Sequence, residues 1–245
     1  MSTKRLLFFP QNETHLENML PLLPNLEKKG YQCEFIDASK IYHQDIYKDF
    51  PQLKRISLLT TCEIPFYTTG NIQRVRFVLS LRKELKKVKR NYDGFFIGND
   101  GALQRLVMKT ISIKKTFFLV DAIINDNTFS FFKIFKHSNF KSYDIKDWIR
   151  RKLKLTSMRI IRYLPFSYLL PSEIGTVRTT KMYVLGEYVK EVLKTRGIPG
   201  REILACGLPR FKKLLKYRHP GINLEPKGKF KIMTLTQSAV WHNDH

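Results

Sequence analysis

"RLLFFPQNETHLENMLPLLPNLEKKGYQCEFIDAS", residues 5–39, decides the fold. Arg5 to Pro10 is a short run, apolar from Leu6 onward, the pattern of a strand buried on both faces. A polar loop, "QNETH", follows, and Thr14 with Glu17 three residues on makes a capping-box start for a helix. Leu16, Met19, Leu20, Leu23 and Leu26 then fall on one side of that helix, which Pro21 and Pro24 interrupt. Gly30 ends it, and "CEFIDAS" supplies a second strand. Strand, helix, glycine and strand at this spacing form a βαβ unit, whose two strands are parallel.

The same grammar continues outward. "ISLLTT" (56–61) reads as a strand and 71–90 as a long basic helix. "DGFFIGNDG" (93–101) is a buried strand that breaks into a glycine-rich turn, followed by a helix over 102–111. "KTFFLVD" (115–121) and "KMYVLG" (181–186) are strands. A helix over 187–196 with Gly197 as its cap and a last strand, "EILACG" (202–207), follow. Buried, non-alternating strands separated by helices predict an α/β protein, a Rossmann-like three-layer parallel sheet covered on both faces.

Between the strands at 115–121 and 181–186 lies an insertion, about 122–171. From Lys133 to Tyr163 it carries ten Lys/Arg and two Asp, interleaved with Phe135, Phe140, Tyr143, Trp148 and Tyr163. Ile145, Trp148, Ile149, Leu153 and Ile160 fall near helical spacing, with Lys146, Arg150, Arg151 and Lys154 between them, so an amphipathic basic helix is expected. Its apolar side can cover the sheet or rest on an anionic membrane surface.

Across 245 residues, 44 Lys/Arg face 21 Asp/Glu, a net charge of +23. That field attracts polyanions: nucleic acid, anionic headgroups or phosphorylated substrates. Residues 71–90 alone hold Arg74, Arg76, Arg82, Lys83, Lys86, Lys87, Lys89 and Arg90 against Glu84. The three cysteines, Cys33, Cys62 and Cys206, have no metal or redox spacing and read as small buried thiols in a reducing cytosol. The five apolar residues from Leu6 to Pro10 are too few for a signal peptide, and no run approaches the ~18 apolar residues of a membrane span. The expected setting is the cytoplasm, with room for peripheral contact at the inner face of the cytoplasmic membrane.

Ligands of open parallel sheets bind beyond the carboxyl ends of the strands. The loop after the first strand holds His15, an imidazole able to take a proton from an acceptor hydroxyl, and Glu13, a weaker competitor. Asp100 and Asp121 end two other strands and can supply the carboxylate that orients such a histidine. Asp100 also stands where a helix N-cap is expected. In "GNDG", Gly98 and Gly101 let backbone approach a ligand at a helix N-terminus. In "ACGLPRFKK", Gly207 permits an unusual backbone angle, Pro209 fixes the exit, and Arg210 offers a fork suited to phosphate.

Taken together, "LLFFP…H", "FFIGNDGALQR" and "YVLGEYVKEVLKTRGIPGREILACGLPRF" resemble the N-terminal half of GT-B-type glycosyltransferases of bacterial surface polysaccharides. That group is similar to the glycerophosphotransferases and the sugar-nucleotide 2-epimerase superfamily. Its chains commonly read Gly-x-Pro-Arg/Lys-x-Asp before crossing to a second Rossmann domain. Here Gly207, Pro209 and Arg210 match, and Lys212 replaces the acid. The resemblance implies an acceptor-type domain over 1–226 and, in "KFKIMTLTQSAVW", the first strand and loop of a donor domain over 227–245. The remainder of that domain, about 150 residues for an ordinary one, is then missing, and little or no transfer is expected from the chain alone.

By the same resemblance His15 deprotonates the acceptor with Asp100 or Asp121 behind it. Glu13, Gly98, Asn99, Gly101, Arg105 and Gly186 bind acceptor, and Gly207, Pro209, Arg210, Gln237 and Ser238 face the donor. The donor is a nucleotide-sugar acting as substrate, the acceptor a glycan or lipid-linked molecule, and neither cofactor nor metal is required. A polyol-phosphate transferase of the same fold is the neighbouring alternative. A non-enzymatic basic remnant that binds membrane or nucleic acid is the distant one, and no recognised nucleic-acid-binding pattern supports it.

Overall fold

The computed structural model describes residues 4–60, 71–88, 90–121 and 178–210. All belong to the first of two compact units, Met1–Lys212; the second, Lys213–His245, lies outside the described residues. The insertion at 122–171, the strand expected at 229–236, Gln237, Ser238 and Cys62 are also outside them.

In chain order the elements are β1 (Lys4–Phe9), α1 (Glu13–Met19), α2 (Leu23–Lys28), β2 (Tyr31–Asp37), α3 (Ser39–Tyr42) and β3 (Arg55–Ser57). Then come α4 (Asn71–Leu85), β4 (Asn91–Tyr92), β5 (Gly94–Ile97), α5 (Ala102–Thr110), β6 (Ser112–Ile113) and β7 (Thr116–Val120). The described part closes with β8 (Lys181–Val184), α6 (Glu187–Thr195) and β9 (Ile203–Ala205). Seven strands form one sheet in the order β3-β2-β1-β5-β7-β8-β9, and every pairing in it is parallel. The expected Rossmann-like α/β sheet is present. The pair β4-β6, a two-stranded parallel ribbon, was not legible in the sequence.

The paired phenylalanines of "LLFFP", "GFFIG" and "TFFLV" explain how the sheet is held. Adjacent strand residues point to opposite faces, so each doublet gives one ring to each layer. On one face Phe9, Phe95 and Phe118 join Leu7, Ile97, Val120, Met182 and Val184 beneath apolar residues of α4, α5 and α6. On the other, Leu6, Phe8, Phe35 and Leu119 pack with Leu16, Met19 and Leu23 of α1 and α2. There the register aligns Phe35, Phe8, Phe96 and Phe117 across four strands. Their rings stack successively with centroids 4.9, 4.8 and 4.8 Å apart. Offset stacks of this kind add to simple burial.

Several boundaries differ from the sequence reading, each for a local reason. The N-cap of α1 is Asn12, whose Oδ1 accepts the His15 N–H at 2.9 Å, and not Thr14. Pro21 and Pro24 split the following segment into a 3-10 turn, Leu20–Leu22, and the separate helix α2. The strand expected at 56–61 stops at Ser57 because the Glu84 carboxylate of α4 accepts the Leu59 and Thr60 amides. The N-cap of α5 is Gly101, not Asp100.

Candidate active site

Chain progress along the sheet reverses between β1 and β5: β2 and β3 lie to one side, β5, β7, β8 and β9 to the other. The helices that follow β1 and β5 pack on opposite faces of the sheet, so the carboxyl ends of these two strands mark the switch point, the place where open α/β sheets bind ligands. β1 delivers Gln11 and His15 there through the turn into α1, β5 delivers Gly98 and Asn99, and β7 delivers Asp121.

His15 is buried, with 6% of its surface exposed. Its Nδ1 accepts the Gln11 backbone N–H at 3.2 Å. Its Nε2 lies 3.5 Å from Asp121 Oδ2. An amide hydrogen on Nδ1 leaves the single ring proton of a neutral imidazole on Nε2, facing the carboxylate. The Asp121 side chain is 16% exposed against 7% for His15, so Asp121 is the member of the pair closer to solvent.

Gly98 makes the arrangement possible. A Cβ on it would lie 2.3 Å from His15 Cγ and 2.6 Å from Nδ1, inside any tolerable contact. The imidazole therefore lies directly against the backbone at the end of β5. Beside it Asn99 Nδ2 donates to Gln11 Oε1 at 2.6 Å, tying the β5 loop to the β1 loop. Gln11 is thus a partner of both His15 and Asn99. Its place in the loop was visible in the sequence, but nothing in its type marked that double role.

The other predicted residues are distributed differently. Asp100 is buried at 2% exposure and interacts electrostatically with Arg105, itself 2% exposed on α5. Burial pulls the Arg105 guanidinium below its ordinary pKa, and Asp100 partly restores it. Arg105 Nε also donates to the Gly101 carbonyl at 3.4 Å. Asp121, not Asp100, is the carboxylate recorded beside the His15 ring.

Glu13 is exposed and lines a separate hollow of about 210 Å³ with Leu16, Asp45 and Phe50. Gly186 caps α6 at the end of β8 with extended backbone. Gly207, after β9, has φ 74°, the left-handed region that favours glycine. Leu208 behind it is buried, and Pro209 and Arg210 begin a turn in which Arg210 is partly exposed.

No family model and no curated protein matches the chain. Among solved structures it is similar to UDP-GlcNAc 2-epimerase from Neisseria meningitidis bound to UDP-GlcNAc. That similarity has 13% identity and a TM-score of 0.46 over 86% of this chain and 48% of that one. It is similar to the lipopolysaccharide outer core galactosyltransferase WaaB in its apo form, at 11% identity and 0.41, over 82% of this chain and 44% of the other. The glycotransferase of kitacinnamycin matches at 9% identity and 0.42, over 83% and 51%. The chain spans about half the length of these solved structures.

Proposed function

We propose that the chain is the acceptor-holding part of a glycosyltransferase. The enzyme would move a sugar from a nucleotide-sugar to a surface-polysaccharide or lipid-linked acceptor. One observation carries this reading: His15, in the first turn of α1, and Asp121, just after β7, meet 3.5 Å apart at the carboxyl edge of a parallel sheet. The acceptor hydroxyl enters beside Asp121, whose carboxylate, held by the His15 Nε2–H, takes its proton as the oxygen bonds to the anomeric carbon and the sugar–phosphate bond breaks. Burial and the Gln11 amide hold His15 in place for that transfer. Gly207, Pro209 and Arg210 lie toward the donor, and Gln237 and Ser238 belong to a donor lobe beginning near residue 227.

The surface of α4 supports an acceptor presented at an anionic bilayer. Val75 and Leu79 are 43% and 52% exposed, one turn apart, among the exposed Arg76, Lys83, Lys86 and Lys87. Basic residues near such a surface contribute about 1 kcal/mol each. Arg90 is committed elsewhere, to Glu34 at 2.8 Å. Among the described residues no helix is long and apolar enough to cross a membrane.

The test is a binding titration of the 245-residue chain with a short polyprenyl-diphosphate-linked glycan, in parallel with a single-stranded oligonucleotide at physiological salt. Saturable glycan binding that falls at least tenfold in Asp121→Ala supports the reading. Tight oligonucleotide binding with no glycan binding overturns it.

A further inference from the structure

The geometry points to a second site, for an anion, at the end of the sheet opposite His15, built to bind a phosphate-bearing small molecule. A hollow of about 450 Å³ opens at the amino ends of β7 and β8 and the turn before β9. That volume falls within the usual range of small-ligand pockets. Its lining includes Lys114, Arg178, Thr179, Lys181, Arg201 and Glu202, so four cations stand against one carboxylate. Thr116 and Asp121 are separated by the length of β7, about 16 Å at about 3.3 Å per residue. A ligand here is therefore distinct from the acceptor of the first site.

Two of the cations are already engaged. The Lys114 ammonium pairs with Asp93 at 2.7 Å. The Lys181 ammonium donates to the Arg201 carbonyl at 2.7 Å, which ties β8 to the turn and leaves that charge without a carboxylate. Arg178 and Arg201 are exposed, and among the described residues neither guanidinium has an ion-pair partner. Two unpaired planar forks on one hollow suit the tetrahedral oxygens of phosphate better than a diffuse positive face does.

Thr179 supplies an independent sign. It lines the hollow at 5% exposure, and its Oγ1 is buried without a hydrogen-bond partner. An unsatisfied buried hydroxyl costs about 1–3 kcal/mol, and a phosphate oxygen in the hollow would accept its proton. The neighbouring strands hold it there: the Thr180 N–H donates to the Thr116 carbonyl at 2.7 Å, and the Thr116 N–H donates to Thr180 Oγ1 at 3.1 Å.

Calorimetric titration of the full chain with inorganic pyrophosphate at fixed ionic strength tests the site. Saturable binding is expected, weakened at least tenfold in Arg178→Ala/Arg201→Ala. It is also expected to weaken severalfold in Thr179→Val, which changes no charge and which a merely diffuse field would not feel. Circular dichroism checks that both variants fold. Competition by phosphatidylglycerol vesicles but not phosphatidylcholine vesicles assigns the phosphate to a lipid headgroup; no competition by either assigns it to a soluble ligand. Absence of saturable binding, or unchanged affinity in both variants, overturns the proposal. So does preferential capture of a single-stranded oligonucleotide through the same arginines. Asp121→Ala affects only the first site, so the two proposals fail separately.

Discussion

Gly98 and His15 are packed so closely that residue 98 cannot carry a side chain while the imidazole stays where it is. A Cβ there would stand 2.3 Å from His15 Cγ and 2.7 Å from its Cβ, both near the ring's rigid stem. Gly98→Ala should therefore lower stability by about 1–3 kcal/mol, the usual range for overpacking. In a His15→Ala background the clash is gone and the same substitution should cost at least about 1 kcal/mol less, a coupling readable from a double-mutant cycle by urea denaturation. Additive losses would show that the ring does not lie against Gly98.

The tautomer of His15 is separately measurable. With the Gln11 N–H donating to Nδ1 at 3.2 Å, the ring proton belongs on Nε2, toward Asp121. Nitrogen-15 correlation spectra of the neutral ring should show Nδ1 unprotonated and Nε2 protonated. In Asp121→Asn the pattern should persist, because the backbone amide, not the carboxylate, selects it. A spectrum with the proton on Nδ1 would instead leave Nε2 free as the base and place the Gln11 amide elsewhere.

Much of the architecture was legible because strand burial is written in composition. The runs "LLFF", "GFFI" and "FFLV" are apolar at consecutive positions, the pattern of strands in a sheet covered on both faces. Asp121 and His15 were legible as strand-end residues, because parallel sheets gather such ends along one edge. Their pairing was not, since the choice between Asp100 and Asp121 depends on which side chain turns inward. Asp100 lies beside the buried Arg105, a relationship across a helix turn that no spacing announces. The Asn12 cap was missed because two polar residues near a helix start compete, and only the backbone at Asn12, extended at φ −144°, decides between them. Arg90 read as one member of a basic surface cluster, whereas Glu34, far off in sequence, claims it.

Gly207 and Gly186 both follow strands on the carboxyl edge, yet they should differ in their response to alanine. Gly207 has φ 74° and nothing within 4 Å of an added Cβ, so only its backbone conformation resists substitution. Gly207→Ala should cost about 1–2 kcal/mol. Gly186 is equally open but extended, at φ −169°, so Gly186→Ala should change stability by under about 0.5 kcal/mol. Paired thermal melts distinguish the two, and a larger loss at Gly186 would contradict the assigned backbone.

Glu34 is the deepest charge among the described residues and should govern acid stability. Its carboxylate is 0% exposed and meets Lys54 Nζ at 2.7 Å, Arg90 NH1 at 2.8 Å and the Tyr92 hydroxyl at 2.6 Å. Burial alone would push its pKa up, but the bonds from Lys54, Tyr92 and Arg90 outweigh that and hold it below the ordinary carboxylate range. A folded-state pKa below the unfolded one gives stability that is present above the unfolded pKa and lost as pH falls through the folded one. Glu34→Ala leaves the buried Tyr92 hydroxyl without its acceptor and should cost about 1–3 kcal/mol at neutral pH. Lys54→Ala should cost under about 1 kcal/mol, because the lysine is 58% exposed and its attraction is screened by water. The gap between wild type and Glu34→Ala, measured by denaturant unfolding, should stay constant from neutral pH to the ordinary carboxylate range and then narrow with further acid. A gap that widened in acid would mean the carboxyl is buried in its protonated form and the three donors do not hold a charge.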